Sequence, residues 1–90
     1  MRELTNFQHK CEAELLSLLK RKHLTLDNRR LDGRRETYIY AEVKGLETWI
    51  YEDGAEIASD TVDKRFEKYD FRSEDELINA FIHELDTLVS

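Results

Sequence analysis

The chain has three glycines and no proline, and each glycine stands between runs in which apolar and polar residues alternate. Asp32-Gly33, Lys44-Gly45 and Asp53-Gly54 can each be the centre of a two-residue hairpin turn. Such turns need positive φ at their central residues, which glycine takes without cost and aspartate tolerates, while lysine is a weaker signal. The turns can be tested against one another. A two-residue turn at Asp32-Gly33 sets Leu26 opposite Ile39 and Leu24 opposite Ala41. One at Lys44-Gly45 sets Val43 opposite Leu46, Ala41 opposite Thr48 and Ile39 opposite Ile50. One at Asp53-Gly54 sets Ile50 opposite Ile57. All three registers collect aliphatic side chains on one sheet face, and a one-residue slip at any turn would scatter them over both.

Helices are expected on either side of this meander. Thr5 and Gln8 have capping-box spacing, and Phe7, Cys11, Leu15, Leu18 and Leu19 recur at helical spacing, so a helix is predicted over about Asn6 to Lys22. Lys20, Arg21 and Lys22 complement the dipole in its last turn. A second capping box, Ser73 with Glu76, opens a helix from about Glu74 to Val89 with a broad apolar stripe through Leu77, Ile78, Phe81, Ile82 and Leu85. A fifth strand is expected at Arg65–Asp70. The expected fold is α+β: a two-layer sandwich with an N-terminal helix, an antiparallel meander of four to five strands and a C-terminal helix, both helices on one sheet face. Residues 1–90 make one domain, since 90 residues is one domain's worth of chain.

The same register places Tyr38, Tyr40, Glu42, Glu47, Trp49 and Tyr51 on the opposite face, with Tyr40 across from Trp49 and Tyr38 across from Tyr51. Two helices and one aliphatic face leave this second face without a cover. Tyrosine and tryptophan are the residues most enriched at interface hot spots, so these six form the expected partner-binding face. Glu42 and Glu47 lie directly opposite, an unfavourable like-charge pair that a cation relieves. A partner's cation would serve, as would His23 or Lys44 of the chain itself. Arg29, Arg30, Arg34 and Arg35 flank Gly33, where a tight hairpin would crowd them at one tip as an anion-binding group.

Bulk composition narrows the function classes. The net charge of −6 is divided unevenly: residues 1–44 carry ten Lys/Arg against seven Asp/Glu, and residues 45–90 carry four against thirteen. An acidic, dipolar chain of this kind suits a basic partner or a head-to-tail copy of itself. One cysteine, Cys11, cannot form an internal disulfide, which favours a reducing, cytoplasmic setting. No apolar run is long enough to span a bilayer and no signal-type segment opens the chain, so no membrane association is expected. His9, His23 and His83 lack zinc spacing, and phosphate-loop, nucleophile-elbow and HExxH patterns are absent. No catalytic residue, metal or cofactor is therefore expected. The reading is a non-enzymatic protein-interaction module, an acidic inhibitor or adaptor or a homodimer, acting through the aromatic face. The alternative is single-stranded nucleic-acid binding by the same aromatics and the arginines, which the carboxylates on that face disfavour.

Overall fold

The computed structural model describes residues 3–90. Helix α1 (Asn6–Lys22) leads into strands β1 (Asp27–Asp32), β2 (Tyr38–Val43), β3 (Leu46–Ile50), β4 (Gly54–Ala58) and β5 (Asp63–Glu67). A short 3-10 turn (Lys68–Asp70) then leads to helix α2 (Glu74–Val89). The five strands form one antiparallel sheet in the order β1-β2-β3-β4-β5.

Both helices begin where their caps predict. Thr5 Oγ1 accepts from the Gln8 backbone N–H at 3.2 Å while Gln8 Oε1 accepts from the Thr5 N–H at 2.9 Å, so two otherwise unserved donors are satisfied reciprocally. At α2, Ser73 Oγ accepts from the Glu76 N–H at 3.1 Å. Helix α1 stops at His23, which turns left-handed (φ 56°), and the Leu24 N–H closes the end on the Leu19 carbonyl at 2.9 Å. The apolar faces of the two helices meet Ile39, Val43, Ile50, Ala55 and Ile57 from one side of the sheet in a single core. The fold is thus α+β, with the helical layer on one face.

The β2–β3 hairpin follows its predicted register. Lys44 (φ 53°) and Gly45 (φ 82°) both take positive φ, and Val43 pairs with Leu46, Ala41 with Thr48 and Ile39 with Ile50.

The first hairpin departs from expectation. Leu31, not Leu26, lies opposite Ile39, Arg30 lies opposite Tyr40, and residues 33–37 form the connection. A tight turn at Asp32-Gly33 would have set Arg30 directly against Arg35, like charges across the ladder. The longer connection moves Arg34 and Arg35 out of the sheet and puts Leu31, the only apolar residue of β1, on the core side. An irregularity between Asp27 and Arg30, with Asn28 at φ 51°, shifts the register by one residue and sets Asp27 opposite Glu42, on the same face as Arg30. Leu24 and Leu26 pack against the core from the segment before β1 rather than from within it.

The third turn is also displaced. Its central residues are Glu52 and Asp53, since the Tyr51 N–H donates to the Gly54 carbonyl at 2.8 Å. Ile57 therefore pairs with Thr48, and Ala55 with Ile50. The offset from the expected Ile50–Ile57 pairing is two residues, so every side chain keeps its predicted face. Gly54 serves a different purpose from the one its sequence neighbour suggests: a Cβ there would run into the Phe66 carbonyl oxygen on β5.

The fifth strand lies at Asp63–Glu67, starting two residues and ending three residues earlier than expected, and Lys68–Asp70 coil into the 3-10 turn. Phe66 points to the core, its ring edge-on to Phe81 at 5.9 Å, while Tyr69 is 82% exposed.

Candidate binding face

Cross-strand pairing defines the sheet face that neither helix covers. Its centre is Tyr40 and Trp49, directly opposite each other, flanked by Arg30 on β1 and Glu56 on β4. Arg65 on β5 lies opposite Glu56. Towards one end come Asp27, Glu42, Glu47, Ala58 and Asp63; towards the other, Asp32, Tyr38, Tyr51 and Glu67. The six residues predicted to share a face do share it. Trp49, Tyr38 and Tyr51 are half-buried and Tyr40 is buried.

Stacked rings and guanidiniums organise this surface. Tyr40 meets Trp49 edge-on at 5.4 Å between centroids, and Tyr38 meets Tyr51 at 5.5 Å. The Arg30 guanidinium lies 4.0 Å over the Tyr40 ring, and the Arg65 guanidinium 4.7 Å over the Tyr51 ring. Both arginines are also paired with carboxylates of the same face: Arg30 with Asp32 at 3.4 Å, and Arg65 with Glu67 and with Glu56 at 3.5 Å. Arg65 was invisible as a site residue in the sequence. Its signal was a strand register that only the closed β4–β5 hairpin supplies.

The opposed pair Glu42 and Glu47 is served neither by His23, which ends α1, nor by Lys44, whose Nζ donates to the Val89 carbonyl on the helical side. The Tyr40 hydroxyl stands between the two carboxylates, 3.0 Å from Glu42 Oε2 and 2.8 Å from Glu47 Oε2, and Asn28 Nδ2 donates to Glu42 at 2.9 Å. A phenol has one proton and donates to one carboxylate at a time. Gly45 of the β2–β3 turn and Ser59, Asp60 and Thr61 of the β4–β5 connection lie at this same end of the sheet and, with Tyr40, Glu42 and Glu47, line an open hollow of about 640 Å³.

The four arginines are divided between the two sides of the sheet and the β1–β2 connection. Arg29 turns to the helical layer, where it grips Glu12 through two hydrogen bonds of 3.0 Å each, whereas Arg30 lies on the open face. Arg34 and Arg35 sit in the connection between β1 and β2. The tight turn expected to crowd the four at one tip is not formed, and Arg29 and Arg30 point to opposite sides of the sheet.

The hydrogen bond to Glu47, with burial and Glu42 adding to it, holds the Tyr40 phenol well above its ordinary range. Burial, and then the hydrogen bond to Glu56, pushes Tyr51 up to about 12. The folded chain keeps both protons where the unfolded chain, titrating at 10.0, has begun to lose them. The corresponding stability is therefore whole below pH about 10 and is lost as pH rises through about 12. Alkaline titration followed by tyrosinate absorbance should show late-ionising tyrosines, and the urea midpoint should fall over the same window. Tyr40→Phe should flatten that fall. Simultaneous ionisation of all the tyrosines at the ordinary pKa would contradict the arrangement.

Elsewhere the chemistry is quiet. Cys11 is fully buried, and burial pushes its thiol up to about 12, so it packs as a small protonated core residue. Among the described residues no group of three or more His, Cys, Asp or Glu is placed to hold a metal ion. No helix among them is long and apolar enough to cross a membrane. No known family model, curated protein or solved structure matches the chain.

Proposed function

We propose that this chain is a non-enzymatic protein-interaction module, an adaptor or inhibitor, whose open sheet face receives a protein partner. The observation that carries this reading is that both helices pack on the same side of the sheet, which leaves Trp49 half-buried at the middle of the uncovered side between Tyr40 and Glu56. Tryptophan and tyrosine held rigid by strand pairing offer a large contact area with little rotamer entropy to lose. A cytoplasmic setting belongs to the same reading and is supported by the use of the single thiol as a core residue.

Position-dependent crosslinking tests it. A benzophenone side chain in place of Ala58, beside Glu47 on the open face, is expected to give discrete crosslinked species in extract of the native cells. The same group in place of Leu16, exposed on the outer side of α1, should not. Equal or absent crosslinking at the two positions would remove the sheet face as the binding surface.

A further inference from the structure

We infer that the occupant of the open face is a lysine- or arginine-rich segment of a partner protein, with one cation seated over Trp49 and the hollow beside it. The inference rests on the protein-binding reading and specifies the partner's chemistry. Charge carries it. The face presents seven carboxylates, on Asp27, Asp32, Glu42, Glu47, Glu56, Asp63 and Glu67, against the two guanidiniums of Arg30 and Arg65. That surplus of five negative charges is nearly the whole net charge of −6. Both arginines are already paired at the end of the face that holds Asp32 and Glu67 or at its centre. Among the described residues, none of Asp27, Glu42, Glu47 and Asp63 has a lysine or arginine at ion-pair distance. The excess therefore gathers at the other end, together with Asp60 at the rim of the hollow.

The aromatic row points the same way. The fold lays a guanidinium of its own over Tyr40 and another over Tyr51. Trp49, whose ring attracts a cation most strongly of the aromatic side chains, has no cation of the described chain over it. A guanidinium or ammonium from a partner can stack on the indole and reach Glu47, where the Tyr40 hydroxyl has one proton for two carboxylates. Other occupants fit less well. A second copy apposed by a two-fold axis brings the same negative surplus against itself, and a nucleic-acid backbone brings phosphates against it.

The test is a titration read by the emission of Trp49, the only tryptophan. The probe is a twelve-residue synthetic peptide of alternating arginine and serine, with a glutamate-for-arginine peptide and a single-stranded oligonucleotide as comparisons. The arginine peptide alone is expected to give a saturable change that weakens with added salt. E42Q with E47Q removes both charges of the opposed pair while keeping each side chain's size and an acceptor oxygen, so the fold should hold, and binding should weaken by roughly tenfold. E14Q with E76Q makes the same change in net charge at exposed positions on the helices and should leave binding unchanged. No response to the arginine peptide overturns the inference, as does equal weakening in both double variants, which would mean attraction to net charge alone. A concentration-dependent change in Trp49 emission without peptide, or a response to the oligonucleotide instead, overturns it as well. If crosslinking at position 58 persists while the arginine peptide fails, the face still binds a protein and only the assigned chemistry of the partner is wrong. If both fail, the protein-binding reading falls too.

Discussion

Phe81→Ala is expected to destabilise the chain by about 3–5 kcal/mol, the usual cost of emptying a buried aromatic position. Phe81 is fully buried on the inner face of α2, and its ring lies edge-on to Phe66 of the edge strand β5. The cavity would open where α2 meets that strand, and β5 has a neighbouring strand on one side only. A domain of this length has about 5–10 kcal/mol in all, so the variant should be near its folding threshold at room temperature. Urea denaturation measures this directly: the midpoint should fall with little change in slope. A loss below about 1 kcal/mol would show that α2 is not the lid of the core. Phe81→Leu, which keeps most of the apolar volume, should recover much of the loss.

How far the sequence was legible depended on what each signal is sensitive to. The helices were legible to their end residues because caps and apolar spacing are local: Thr5 and Gln8 hydrogen-bond each other, and Ser73 serves Glu76, without help from the rest of the fold. The Lys44-Gly45 turn was legible because both of its central residues really do take positive φ. Gly54 was misread because glycine has two uses, and here it admits the backbone of β5 rather than a turn. That error did no harm to the candidate site. A two-residue displacement preserves side-chain parity, so Trp49, Tyr40 and Glu56 still share a face.

The displacement of β1 had the opposite consequence. Moving Ile39's partner from Leu26 to Leu31 is a shift of five residues, an odd number, and it sends Arg30 to the open face and Leu31 to the core. Nothing local to Asp32-Gly33 announces this. It follows from the cost of setting Arg30 against Arg35 and the gain of laying Arg30 on Tyr40, contacts that exist only once β2 is in place. The aromatic part of the site could thus be read from alternation alone, whereas the placement of its arginines and the hollow made by Ser59, Asp60 and Thr61 needed the assembled sheet.

Gln8 is the residue whose importance the sequence most understated, and its replacement should have the second large effect. As a capping residue it needs only its side-chain oxygen. Its amide nitrogen does separate work: fully buried, it donates to the Thr37 carbonyl at 2.6 Å and to the Ile50 carbonyl at 3.2 Å. Thr37 leads into β2 and Ile50 ends β3, so one side chain ties the start of α1 to two neighbouring inner strands at the residues beside Tyr38 and Tyr51. Gln8→Leu keeps the volume but takes the amide from both carbonyls and the acceptor from the Thr5 N–H, and leaving such groups unserved in the interior should cost about 2–4 kcal/mol. Gln8→Glu should be worse at neutral pH, because a buried carboxylate would face two carbonyl oxygens with nothing to donate. Part of that loss should return as pH falls and the carboxyl regains a proton. Urea denaturation of both variants across the acid range is the measurement. A cost below about 1 kcal/mol for Gln8→Leu, or a Gln8→Glu variant that does not improve on acidification, would mean that the two carbonyls find other donors. The emission of Trp49, one residue from Ile50, should shift in the same variants if this clamp holds the aromatic face in place.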